Sequence, residues 1–196
     1  MKHWLPLIFA ALLTGCTGLA APKATNTHLY LLEATPAKVE VKRAQTLLVG
    51  MPSAAPGFDT PQMAYLRNPM ELEYFATHRW ADTPARMLKP LLVQALESGF
   101  SAVAASPTLL SSHLKLETEL LRLQQDFTRK PSRIQLTLRA QLIDTRDKRM
   151  IATQLFDEYE ESSSEDAYGG VLATDRALQR LLNKLVGFCL SATKTK

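Results

Sequence analysis

Two runs of strict alternation constrain this chain more than any other feature. Ile134, Leu136, Leu138, Ala140 and Leu142 alternate with Gln135, Thr137, Arg139 and Gln141. After a polar stretch from Asp144 to Arg149, Ile151, Thr153, Leu155 and Asp157 alternate with Ala152, Gln154 and Phe156. A period of two sends successive side chains to opposite faces of a strand, so the pair reads as an antiparallel hairpin with one apolar face. That face needs a cover, and two segments have helical spacing. Thr83 is a suitable N-cap and Pro84 a suitable first helical residue for a helix through Glu97, with Leu88, Leu91, Leu92, Ala95 and Leu96 on one side and Ser98-Gly99 at its end. A second helix is predicted from about Asp166 to Leu190, preceded by capping serines Ser162–Ser164, with Val171, Leu178, Leu181, Leu182, Leu185, Val186 and Cys189 as its apolar face. The expected fold is α+β: a mostly antiparallel sheet with two main helices packed on one face, as a single domain.

The remaining segments fit this frame. His28 to Glu33 and Gln45 to Gly50 read as strands, and residues 51–62 as a loop punctuated by Pro52, Pro56 and Pro61. Met70 to Trp80 follows the Asn68-Pro69 break, and its aromatics favour a strand. Phe100 to Ala104 is a short strand running into Pro107. Residues 113–127 fit two patterns. Leu116, Leu120, Leu123 and Phe127 have helical spacing, while Leu114, Leu116, Thr118 and Leu120 alternate as in a strand whose pattern resumes past a bulge. A chain of 196 residues with 46% apolar and 21% charged residues is long enough for one core and is ordinary in composition, which excludes a disordered tail protein and a multi-span membrane protein.

The N-terminus is an address. Lys2 precedes an apolar run of ten residues, Trp4 to Leu13, too short to cross a bilayer core of roughly 30 Å as a helix. Leu13-Thr14-Gly15-Cys16 then matches a bacterial lipobox, in which small residues admit the processing protease and the cysteine thiol takes a diacylglycerol as a thioether. Residues 1–15 are expected to be a signal peptide, 16–27 a lipidated N-terminus and tether, and 28–196 the folded domain. Several acyl chains, each CH₂ contributing about 0.8 kcal/mol, hold a protein on a membrane where one chain does not. Thr17 is not the Asp that retains enterobacterial lipoproteins in the inner membrane, so the expected location is the periplasmic face of the outer membrane. Apart from acyl chains on Cys16, no cofactor is expected. The second cysteine, Cys189, lies among Leu185, Val186, Phe188 and Leu190 and reads as an inert buried thiol.

Enzyme chemistry finds no foothold. No zinc-protease helix, paired CxxC, nucleophile elbow or phosphate-binding loop is present. Glu71 and Glu73 share a strand face but read as solvated carboxylates. The acidic run Asp157, Glu158, Glu160, Glu161, Glu165 and Asp166 reads as a solvated loop before a helix, the alternative being a calcium or partner site. The net charge of +4 is scattered, which argues against nucleic acid. The densest Tyr, Trp and Arg segment runs from Tyr65 to Trp80, and these residue types are enriched at interface hot spots. Tyr65, Arg67, Tyr74, Arg79 and Trp80 are the candidate partner interface; for Trp80 a core role is the competing reading.

Leu13 to Cys16, Tyr30-Leu31-Leu32, Pro56-Gly57-Phe58-Asp59-Thr60, Met63-Ala64-Tyr65, and above all Leu72-Glu73-Tyr74-Phe75-Ala76 running into Arg79-Trp80-Ala81-Asp82-Thr83-Pro84 carry a resemblance to the ABC-type transport auxiliary lipoproteins, including those similar to paraquat-inducible protein C. The resemblance covers residues 28–190 and favours the strand reading of 114–127. It implies an accessory role without catalysis: docking a periplasmic MCE-domain protein, and through it an inner-membrane permease/ATPase, to the outer membrane for transport of phospholipid or another hydrophobic molecule, with several copies able to form a ring. A direct lipid carrier and a structural envelope-assembly lipoprotein are the alternatives.

Overall fold

The computed structural model describes residues 26–37, 39–40 and 42–193. The lipobox, Cys16 and the signal sequence lie outside the described residues. Nine strands form one sheet: β1 (His28–Tyr30), β2 (Arg43–Val49), β3 (Ser53–Ala54), β4 (Gln62–Leu66), β5 (Leu72–Trp80), β6 (Phe100–Ala105), β7 (Leu114–Asp126), β8 (Arg133–Asp144) and β9 (Arg149–Glu161). Helices α1 (Pro84–Glu97) and α2 (Ala167–Ala192) cover one face. The α+β layer expected from the alternation is what forms.

β7, β8 and β9 make a long antiparallel meander. Leu116, Leu120 and Leu123 of β7 lie opposite Leu142, Leu138 and Leu136 of β8, all buried beneath the helices. The segment with two possible periods is therefore a strand. Its register shifts between Leu120 and Arg122, and the extra residue lets the apolar side resume at Leu123. In β9 the buried member is Phe156, which meets Phe188 of α2 edge-on, while Leu155 faces outward.

The other edge of β7 is shared by three short strands in succession. β2 pairs at Leu114–Leu116, β3 at Glu119–Leu120 and β4 at Gln124–Asp126, all parallel. Residues 51–62 were expected to be loop throughout. Instead Ser53–Ala54 is β3 and Gln62 opens β4, two strands too short to show a period and defined by the partner they pair with. Gly50 lets this segment run close to β7; a Cβ there would lie 3.2 Å from the Leu116 carbonyl oxygen. β5 pairs antiparallel with β4, β1 lies parallel on β5, and β6 lies parallel on β2.

Two predicted strands are shorter than expected, for local reasons. After Tyr30 the chain leaves the sheet and runs along α2, where Gln179 donates to the Thr35 carbonyl and Asn183 accepts from the Ala37 N–H, both at 2.8 Å. β5 begins at Leu72 because Met70 has a left-handed φ of 66° and closes a turn from Asn68 to Glu71.

The helix starts also differ in detail. Thr83 makes no side-chain cap; its carbonyl accepts from Arg86 and Met87 N–H groups. α2 is capped by the Asp166 carboxylate, which accepts from the Gly169 N–H at 2.7 Å while the Ser164 hydroxyl donates to it. These two bonds, the backbone one foremost, hold the Asp166 carboxyl below its ordinary value. The acidic run is not a solvated loop. Glu158 and Glu160 lie in β9 on the helix side, and Arg176, Arg180 and Lys184 of α2 pair with them. Strand alternation selects those two glutamates, and helical spacing lines up the three cations.

Candidate partner interface

The Tyr65–Trp80 segment forms the β4–β5 hairpin, and the fold splits its candidate residues between core and surface. Trp80 is 3% exposed; it belongs to the buried core, and its backbone N–H donates to the Pro61 carbonyl. Tyr65, at 7% exposed, is also buried. Its hydroxyl donates to Glu73 across the hairpin at 2.8 Å, and that bond raises the phenol above its ordinary value. Neither ring is presented to a partner. Arg67 and Arg79 are exposed and Tyr74 is half-buried.

An aromatic stack fixes this hairpin. The Tyr65 ring packs on Phe75 at 4.6 Å and meets Phe127 edge-on at 5.9 Å. Phe75 continues to His78, which stacks on His28 at 4.9 Å and on Tyr30 at 5.9 Å. Tyr30 reaches Tyr168 in the first turn of α2. Arg67 lies over the Tyr65 ring, 5.2 Å from its centre, a cation–π contact at the rim. The sequence did not single out Phe127, His78 or His28; they are brought in by the parallel register of β4 on β7 and of β1 on β5.

The Tyr74 hydroxyl donates to the Gly57 carbonyl at 3.0 Å and pins the proline-rich loop on the hairpin. Gly57 has φ +89°, a conformation in which a side chain is strained. Arg79 lies opposite Gln62 on one side and Leu29 on the other, and Leu29 is exposed. The accessible part of the candidate interface is therefore a patch of Leu29, Tyr74 and Arg79 beside the proline loop, with Arg67 at the far end of the hairpin.

The chemistry available elsewhere is limited. Glu71 accepts from the Asn68 amide at 2.8 Å and Glu73 from Tyr65, so the two carboxylates serve the hairpin. Cys189 is a free, buried thiol pushed up to about 12 by burial. Among the described residues, no group of three or more His, Cys, Asp or Glu is placed to hold a metal, and no helix is long and apolar enough to cross a membrane. The core gap lined by Met63, Phe75, Trp80, Leu123 and Ile134 is about 10 Å³, no more than one water, and a hollow of about 410 Å³ lies at the other end of the sheet among His113, Asp144, Arg146, Arg149 and Thr193.

Two helices on one face of a nine-stranded sheet, with a hairpin held by stacked rings, make this an α+β domain. The chain belongs to the ABC-type transport auxiliary lipoprotein family, whose model matches residues 30–186. It is similar to a crystal structure of a Xanthomonas campestris protein from a domain family of unknown function, with 28% identity, 84% of this chain and 95% of that chain covered, and a TM-score of 0.76. A hypothetical protein of Chlamydia trachomatis shares the fold at 13% identity, 79% and 100% coverage and a TM-score of 0.54. No curated protein matches the chain.

Proposed function

We propose that this protein is the tethered docking subunit of an ABC-type system that moves phospholipid or another hydrophobic molecule between membranes. Acyl chains on Cys16 hold it to the periplasmic face of the outer membrane. Its domain receives a periplasmic MCE-domain protein, itself joined to an inner-membrane permease/ATPase. The observation that carries the reading is a family of transport auxiliary components combined with an accessible Tyr and Arg surface on the β4–β5 hairpin. A carrier needs an enclosed, mainly apolar pocket of several hundred Å³; the core gap at Met63, Trp80 and Leu123 is about 10 Å³, and the hollow of about 410 Å³ at the far end of the sheet is rimmed by the polar side chains of His113, Asp144, Arg146 and Arg149. A docking subunit needs only a surface, and the Leu29, Tyr74 and Arg79 patch supplies one of the right residue types.

In-cell crosslinking followed by pull-down of the lipidated protein tests this. The expected result is recovery of an MCE-domain protein, reduced at least tenfold by Arg79→Glu, a change at an exposed site that leaves the fold intact. Recovery of cell-wall or envelope-assembly proteins alone would replace the docking reading with a structural one. Cys16→Ala is expected to mislocalise a folded domain and abolish transport; normal transport by an unacylated protein would overturn the tether.

A further inference from the structure

One end of the sheet has a distinct surface. β4 runs parallel to the last residues of β7, with Tyr65 opposite Gln125 and Leu66 opposite Asp126, and the Phe127 N–H donates to the Leu66 carbonyl at 2.8 Å. The two strands therefore finish level, and the turns that follow them, residues 67–71 and 127–132, leave the sheet side by side. Met70 stands at the apex of the first, 99% exposed, with the left-handed φ of 66° that a side chain adopts only at a cost. Arg67, Arg129 and Lys130 are exposed around it.

The carboxylates at this end are already engaged. Glu71 accepts from Asn68, Glu73 from Tyr65 and Glu165 from the Ser132 N–H; Asp126 accepts from the Thr128 N–H and hydroxyl and lies 3.6 Å from Arg133. Among the described residues, Arg67, Arg129 and Lys130 have no carboxylate partner. The tip thus combines a projecting thioether side chain with three exposed cations that make no ion pair, set on the Tyr65, Phe75 and Phe127 rings that brace it from below.

The direction of the chain supplies the occupant. β5 runs away from the tip, and β1 lies parallel to it with His28 opposite His78, so the residues before His28 head toward the tip. From Leu72 to His78 the strand covers about 20 Å. His28 follows Cys16 by twelve positions. Fully extended they span about 40 Å, enough to carry a lipidated cysteine past the tip.

We infer that this tip rests on the membrane that holds the anchor: Met70 enters the interface between headgroups and acyl chains, and Arg67, Arg129 and Lys130 meet anionic phospholipid headgroups. Each cation near such a surface raises partitioning about fivefold, and burying a methionine about tenfold. The contact orients the domain with its tip down and leaves the Leu29, Tyr74 and Arg79 patch free. The inference rests on lipid anchoring at Cys16 for the direction of the tether.

The test places a fluorophore at residue 70 through Met70→Cys in the acylated protein, reconstituted in vesicles of phosphatidylethanolamine with 30 mol% phosphatidylglycerol and a lipid-borne quencher. The acylated Cys16 and the buried Cys189 do not compete for label. A second protein labelled through Lys148→Cys, in the turn before β9 at the other end of the sheet, is the control. The expected result is at least threefold stronger quenching at residue 70, falling to the control level when Arg67→Gln, Arg129→Gln and Lys130→Gln are combined. Equal quenching at the two positions would overturn the inference. So would quenching that persists in the triple variant, or shielding of residue 70 seen only after a protein partner is added. The intact mass of the purified protein reports acylation separately. An unacylated protein still quenched at residue 70 through its three cations would support the tip contact while the anchor reading failed.

Discussion

The two sides of β7 are built differently. On one side, β8 pairs along its whole length and β9 extends the meander, with leucine opposite leucine and the paired Glu158 and Glu160 closing the layer against α2. On the other, three short strands share the edge, a register irregularity separates Gln62 from Ala64 in the β4–β5 pairing, and stacked rings take the place of aliphatic interdigitation. Long ladders with a buried aliphatic face store stability. Short strands joined by fixed turns place side chains at the surface. The docking surface proposed above belongs to the second kind of construction, supported by the first.

The difference can be broken by mutation. The largest effect is expected from Leu138→Ala, a fully buried residue of β8: a loss of about 3 kcal/mol, read as a fall of about 10 °C in the thermal midpoint. A loss below 1 kcal/mol would mean that the meander is not the stable half. Arg180→Ala comes next. It strips Glu158 and Glu160 of one shared partner but leaves Lys184 and Arg176 in place, and the lost cation is partly solvated, so about 1 kcal/mol is expected in urea unfolding.

Asp166→Ala removes the cap of α2 and is expected to cost a similar amount, about 1 kcal/mol near pH 6. Its pH dependence has a definite sign. The folded carboxyl is held below its ordinary value of 3.8, so its stabilisation is present above that value and is lost as pH falls through the folded one. The gap between wild type and Asp166→Asn should therefore narrow between pH 6 and pH 3; a constant gap would assign the effect to something other than the charge. The smallest effect, and of opposite sign, is expected from Met70→Gly, which relieves the left-handed backbone and stabilises by up to about 1 kcal/mol. A residue whose removal from the tip stabilises the fold is one retained for contact.

How legible these two halves are in the sequence follows from their construction. The meander announces itself because Ile134 to Leu142 alternates without interruption, and even the bulge in β7 shows as a phase change at Leu121. α1 and α2 are visible from spacing and from Pro84 and Asp166 near their starts. β3 and β4 are not, because two and five residues hold too little period and their partner lies sixty or more positions away. The candidate interface was legible by residue type but not by exposure. Tyr65 and Trp80 look the same as surface anchors until the register shows that both point inward, and Met70, the most exposed large apolar residue at the tip, carries no signal beyond the Asn68-Pro69 break before it. The acidic run misleads for the converse reason. Its charge is evident, but only the alternation of β9 shows which carboxylates meet α2.

The parallel seating of β1 has a mechanical consequence. On the proposed anchoring at Cys16, tension would enter the domain at the tip-side end of β1 and load the β1–β5 hydrogen bonds along the strand axis, in shear, and not one after another as in unzipping. Only three residues share that load, and behind them the chain is held to α2 through Gln179 and Asn183. A pull strong enough to free β1 would thus pass next to α2, lengthening the leash by the residues between Tyr30 and Ala37 while the meander stays folded. On that anchoring, the domain would carry its own reserve of slack.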